Sequence, residues 1–133
     1  MIVLDTHALI WWVSDPDRLG AKARRIIDRE VEAGETLRVS AISAWEIAML
    51  TSASRLELTM DVESWLARIE ALPALEFIPV DNRIAVRAVT LEDFPHRDPA
   101  DRIIVATALG LGATLATADD RIRSWPSIAT VWK

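Results

Sequence analysis

The chain has no cysteine, which excludes a disulfide framework, a zinc finger and a thiol nucleophile. That absence fits a reducing compartment. The opening MIVLD is strand-like and lacks the basic start and apolar stretch of a signal peptide. No run is long enough for a membrane: Ile103 to Ala118 is interrupted by Gly110 and Gly112 and falls short of the roughly 20 residues that span a bilayer. A soluble, cytoplasmic protein is expected. Positive charge is also scarce, with 20 acidic residues against 15 basic ones and a net charge of −5. This balance excludes a general nucleic-acid coat protein but not an enzyme that handles nucleic acid locally. A P-loop, a dinucleotide-binding glycine pattern and a G-x-S-x-G elbow are all missing. So are internal repeats, low-complexity segments and linkers. The 51% apolar composition over 133 residues predicts a single domain, residues 1–133, with a core of its own.

Strand and helix signals alternate along the chain. Short apolar runs predict strands at Ile2–Leu4, Leu37–Ser40, Leu75–Val80, Leu115–Thr117 and Ile128–Val131. Helical patterns fill the gaps: Thr6–Val13, Leu19–Ala33 with Gly34 as its stop, Ile42–Leu50, and Asp61 through Leu72, which Pro73 ends. Further helices open at Asp81, at Asp98-Pro99 and at Asp119. The apolar face of the third helix reads as Ile42, Trp45 and Met49. The body IIVATALGLG is apolar nearly all round, so it should be buried. The fold class expected is α/β, a three-layer α/β/α arrangement around a mainly parallel sheet of about five strands.

What the chain does have is acids at informative places. Asp5, Asp101 (with Asp98 beside it) and Asp119 stand where helices begin. Glu46 lies about one turn beyond the second strand. In a parallel α/β sheet those positions converge on one edge, where ligands bind. Each acid has an ordinary reading as well. Asp5, Asp98 and Asp119 are plausible N-caps, and Ser43/Glu46 and Thr117/Asp120 fit capping boxes. Magnitudes decide between the readings. Two carboxylates about 6 Å apart repel by roughly 3 kcal/mol at an effective dielectric of 20, whereas a helix N-terminus returns only about 0.3–1 kcal/mol to each. A convergent cluster must protonate, spread apart or bind a cation, and hard oxygen ligands select Mg²⁺ or Mn²⁺. Two such ions would move the net charge from −5 to −1. Carboxylate-held divalent ions suit phosphodiester hydrolysis.

At these residues the chain resembles the PIN-domain ribonucleases, specifically the VapC-like toxins of bacterial toxin–antitoxin pairs. The resemblance rests on LDTHALIWW, SAISAWEIA, HRDPADRIIVATA and LATADDRI, in that order, and covers essentially the whole chain. It implies that Asp5, Glu46, Asp101 and Asp119 bind the metal, with Thr6, Ser43 and Thr117 as polar neighbours. It further implies Mg²⁺- or Mn²⁺-dependent cleavage of RNA, a homodimer, and inhibition by a small antitoxin whose C-terminal segment covers the cleft. Spacing alone leaves the third ligand open between Asp98 and Asp101, which share a helix face. The D-x-x-I pattern of the family favours Asp101, leaving Asp98 as a cap or outer-shell acid.

Other residues have weaker claims. His7, two positions past Asp5, is expected in a local hydrogen bond, and His96 in a loop. Lys22, Arg25 and Arg29 share a helix face expected to be solvated, with RNA phosphate as the sharper alternative. Arg97 and Arg102 flank the acids and are placed to meet a phosphate or to pair with the neighbouring aspartates. Of six tryptophans, Trp45, Trp65 and Trp132 are expected in the core. The adjacent Trp11 and Trp12 cannot both face it, so one is free for a partner or dimer contact. Two rival functions are a non-catalytic binding module of the same fold and a haloacid-dehalogenase-type phosphatase with Asp5 as nucleophile. The phosphatase wants a second aspartate where His7 stands.

Overall fold

The computed structural model describes residues 1–133. Five strands, β1 (Ile2–Leu4), β2 (Leu37–Ser40), β3 (Leu75–Ile78), β4 (Thr114–Ala116) and β5 (Thr130–Val131), form one sheet in the order β3-β2-β1-β4-β5. Every pairing is parallel. The helices are α1 (Thr6–Ser14), α2 (Ala21–Glu32), α3 (Ile42–Ser52), α4 (Val62–Glu70), α5 (Asn82–Val89), α6 (Pro99–Leu111) and α7 (Asp120–Ser124). The expected α/β class and parallel sheet are therefore observed. None of the helices is long and apolar enough to cross a membrane.

Alternation along β1 divides the core. Ile2 and Leu4 point into one layer with Leu9, Ile27, Val39 and Trp65, while Val3 points into the other with Ile104, Val105, Leu115 and Ile122. Both sheet faces are covered, so β1 reads as an unbroken apolar run. The strand order reverses between β1 and β4, and the crevice at the carboxyl ends of those two strands is where such sheets bind ligands. Asp5 follows β1 there, and its amide donates to the carbonyl of Ala116 at the end of β4 (3.1 Å).

Local differences from the sequence reading have physical causes. β3 stops at Ile78 because Pro79 offers no amide to extend the ladder. Neither capping box forms. α3 begins at Ile42, which makes Ser43 its second residue, and Asp119 rather than Thr117 caps α7. The face of α3 is also rotated from the one expected. Ser43 and Ile47 are buried, whereas Trp45 is 56% and Met49 44% exposed. Ile42 keeps a partial contact with the core, while Ser43 and Ile47 form the buried stripe and turn Trp45 and Met49 outward.

The chain's end is fastened at Gly20, just before α2. An added Cβ there would lie 2.1 Å from the carbonyl oxygen of Trp132. That same carbonyl accepts from the amide of Ala23 (3.1 Å). Only glycine lets the two backbones approach this closely.

Candidate metal centre

Four elements deliver the site. Asp5 leaves β1 and caps α1 through Ala8 N–H (2.8 Å). Glu46 projects from the second turn of α3. Asp101 stands in the first turn of α6, and Asp119 caps α7 by accepting from the amides of Arg121 and Ile122 (2.9 and 3.2 Å). All four line one cleft of about 510 Å³. Asp98 does not line it. Its carboxylate accepts from the amides of Ala100 and Asp101 (2.8 and 3.2 Å), as the N-cap of α6. Asp101 thus lines the cleft and Asp98 stands behind it, where its charge still reaches Asp101 and Glu46. A larger groove of about 720 Å³ between α5 and α6 holds Asp81 as its one acid, so volume does not locate the acidic centre.

The crowding is visible in the acidity of the four groups. Asp101 is pushed up to about 7, first by burial, then by the charge of Asp98, with Glu46 and Asp119 adding to it against the pull of His96. Burial also raises Asp5, against the Thr117 hydroxyl and the Ala8 amide. Glu46 is raised by burial, against its bond from Thr6. Asp119 goes the other way. Burial opposes its ionisation, but hydrogen bonds from His96 and from the Ile122 amide outweigh that and hold it low.

Hydroxyls organise the other side. The Thr6 hydroxyl donates to Glu46 Oε1 at 2.6 Å, and its oxygen lies 2.8 Å from Ser43 Oγ. Thr6 has one proton and gives it to the carboxylate, so Ser43 must donate to Thr6. Both hydroxyls are buried, and the pair fixes the orientation of Glu46. Thr117, also buried, accepts from the amide of Asp119 (3.1 Å).

Sequence reading missed His96, which it placed in a loop without function. The loop is real, but the imidazole is only 13% exposed, with Nε2 3.0 Å from Asp119 Oδ2 and Nδ1 3.9 Å from Asp101 Oδ2. One ligand atom from each of His96, Asp101 and Asp119 fits within a 4.8 Å span, a separation suited to one cation. The only hint in the sequence is the position of His96 just ahead of the two acids in HRDPAD. Arg102 is a correction: rather than facing phosphate or an aspartate, it donates to the carbonyls of His96 and Ala88 (both 2.9 Å) and stacks over Phe94. It positions the loop that carries His96. Arg97 is exposed and pairs with no aspartate. His7 packs its ring against Trp11 (5.6 Å) instead of hydrogen-bonding locally. Trp65 is buried and Trp132 packs against the core, but Trp45 is outside it. Trp11 and Trp12 both pack against the same core layer while staying half-exposed, contrary to the expectation that only one could face it.

Residues 2–126 match the family described as PIN domain. The chain belongs to the PIN domain family. A relative, Ribonuclease VapC22 of Mycobacterium tuberculosis, is 37% identical over 133 residues, covering 98% of each chain. Solved structures share the fold at lower identity. VapBC2 from Rickettsia felis, bound to a promoter DNA fragment, aligns over 100% of both chains with a TM-score of 0.70 at 16% identity. The DNA-bound VapBC from Salmonella typhimurium aligns over 98% of this chain and 96% of that one, with a TM-score of 0.69 at 19% identity. In this PIN domain the donor set fits a hard divalent cation: four carboxylates face one cleft, the His96 imidazole adjoins two of them, and burial, with neighbouring acids adding to it, raises the pKa of three of the carboxyls.

Proposed function

We propose that the chain is a Mg²⁺- or Mn²⁺-dependent endoribonuclease that hydrolyses RNA phosphodiester bonds, acting in the cytoplasm as the toxin of a toxin–antitoxin pair. The observation that carries this reading is the meeting of Asp5, Glu46, Asp101 and Asp119, from four distant segments, in one cleft at the point where strand order reverses. These four hold the metal, and His96 completes the set on the side of Asp101 and Asp119. A bound divalent ion supplies charge neutralisation at the phosphate and acidification of water. The chain's own groups do the rest. Thr6 and Ser43 fix Glu46, Thr117 sets the backbone that aims Asp119, Asp98 holds the start of α6, and Arg102 holds the His96 loop.

The family and the 37% identical ribonuclease support the nuclease reading. Structural neighbours that are VapBC complexes support a small antitoxin as partner. A homodimer is part of the same reading, and the exposed Trp45 and Met49 on α3 give it or the antitoxin an apolar contact. The phosphatase alternative is weakened by His7, which packs on Trp11 where a second aspartate would act. The non-catalytic module is weakened by the complete acidic set.

Incubating purified protein with single-stranded RNA tests the proposal. Cleavage should appear with Mn²⁺ or Mg²⁺, stop in EDTA and return when metal is restored. Undiminished cleavage in EDTA would remove the metal from the mechanism, and no cleavage with any divalent ion would leave the binding module. Thr6→Val tests the hydroxyl pair. It keeps the shape of the site but strands the Ser43 proton and frees Glu46, so Mn²⁺ affinity by calorimetry should fall about 10–100-fold, with little change in the circular dichroism spectrum.

A further inference from the structure

Part of the cleft lining is built from different chemistry. His7, Trp11 and Arg18 line the same cleft as the four carboxylates. His7 and Trp11 lie one turn apart on α1, ring centroids 5.6 Å apart. The guanidinium of Arg18 sits 4.8 Å above the Trp11 ring, and Trp132 packs against Trp11 at 5.7 Å. The platform is therefore held in place from behind. Arg18 makes no ion pair; the adjacent Asp17 is engaged by Arg24 instead. It is the one permanently charged cation lining an otherwise acidic cleft, with His7 exposed beside it. Stacking on Trp11 places both groups, but it leaves the Arg18 charge without a carboxylate partner and the His7 imidazole exposed in the same cleft.

Unpaired nucleotides are bound in this way: bases stack on aromatic rings and arginine planes, and arginine takes the neighbouring phosphate. We propose that His7, Trp11 and Arg18 form a nucleotide subsite that stacks an unpaired base of the RNA and binds the phosphate beside it, seating the next phosphodiester over the carboxylates. The inference rests on the ribonuclease reading and sharpens it: the substrate must present a single-stranded nucleotide next to the bond that is cut. A base-paired nucleotide cannot offer its face to the platform.

The test is cleavage kinetics on a short RNA carrying 2-aminopurine beside the cut site, with full-length wild type, Arg18→Ala, Arg18→Lys, His7→Ala and, as a charge control, Arg29→Ala on the exposed side of α2. Arg18→Ala and His7→Ala should raise KM by about tenfold with kcat within about twofold, and Arg18→Lys should recover part of the loss. Mn²⁺ affinity of Arg18→Ala should match wild type, and Arg29→Ala should cleave normally. Wild type should quench 2-aminopurine on binding, and closing that nucleotide into a duplex should abolish both quenching and cleavage. Unchanged KM in both alanine variants, in a wild type that cleaves, overturns the subsite and leaves the ribonuclease reading intact. Variants that keep RNA cleavage but escape inhibition by the antitoxin assign the rim to the protein partner and also overturn it. If wild type cleaves no RNA, the ribonuclease reading fails first and takes the subsite with it.

Discussion

Asp5→Asn should lower RNA cleavage by about 10³-fold or more while raising the thermal stability of the metal-free protein. The two effects have one cause. Asp5 is a carboxylate pressed into the core edge, with burial driving its pKa up and the charge of Asp119 adding to it. Asparagine keeps an oxygen for the Ala8 amide, so α1 retains its cap. It removes the charge, and with it both the repulsion and the attraction for a cation. The measurements are single-turnover cleavage and thermal unfolding in EDTA. A variant that cleaves at the wild-type rate would show that Asp5 is only a helix cap. A variant that loses activity because it unfolds would show that the carboxylate stabilises the fold.

Between about pH 4 and 7 the metal-free protein should lose stability as pH rises, and its affinity for Mn²⁺ should grow over the same range. The sign follows from Asp101, whose carboxyl is near 7 when folded and near the ordinary 3.8 when unfolded. Below both values each form carries the proton. Between them only the folded form does, so raising the pH favours unfolding, by at most about 1.4 kcal/mol per pH unit for one group. Asp5 and Glu46, also raised, act in the same direction. Asp119 is lowered, so its contribution is lost only at more acidic pH. A divalent ion must displace the retained proton, so affinity climbs by up to about tenfold per unit and levels off above about pH 7. Unfolding scans across this range, with EDTA and with Mn²⁺, decide the matter. A melting temperature in EDTA that is flat from about pH 5 to 7 would mean that the carboxyls are not crowded.

Features encoded within a few residues were legible in the sequence. Asp5, Asp61, Asp81, Asp98 and Asp119 each cap a helix through the side chain, because a cap is a contact with the next turn. The parallel sheet was legible from the alternation of elements. The acids could be named because strand ends in such a sheet share one edge. Orientation was harder to read. The period of α3 picked out Ile42, Trp45 and Met49, yet the helix lies beside α1 and α6 and turns Glu46 toward the cleft, leaving Trp45 outside. His96 stands in a segment with no periodicity, and its role depends on Asp119, which joins it only through the fold. Arg102 looked like a phosphate ligand because sequence records its charge but not the carbonyls of His96 and Ala88 that occupy it. Arg18 stands in a 3-10 turn, Pro16–Arg18, and its stacking on Trp11 had no local signature.

Asp5 and Asp119 come from segments far apart in the sequence, and they meet because β4 adds to the open edge of β1. Assembly is therefore governed by the slowest kind of contact, one between distant parts of the same molecule. A ribosome that has not yet delivered β4 carries a chain in which Asp5 has no Asp119 to oppose it. The acidic centre stays incomplete until β4 and the residues after it have been made.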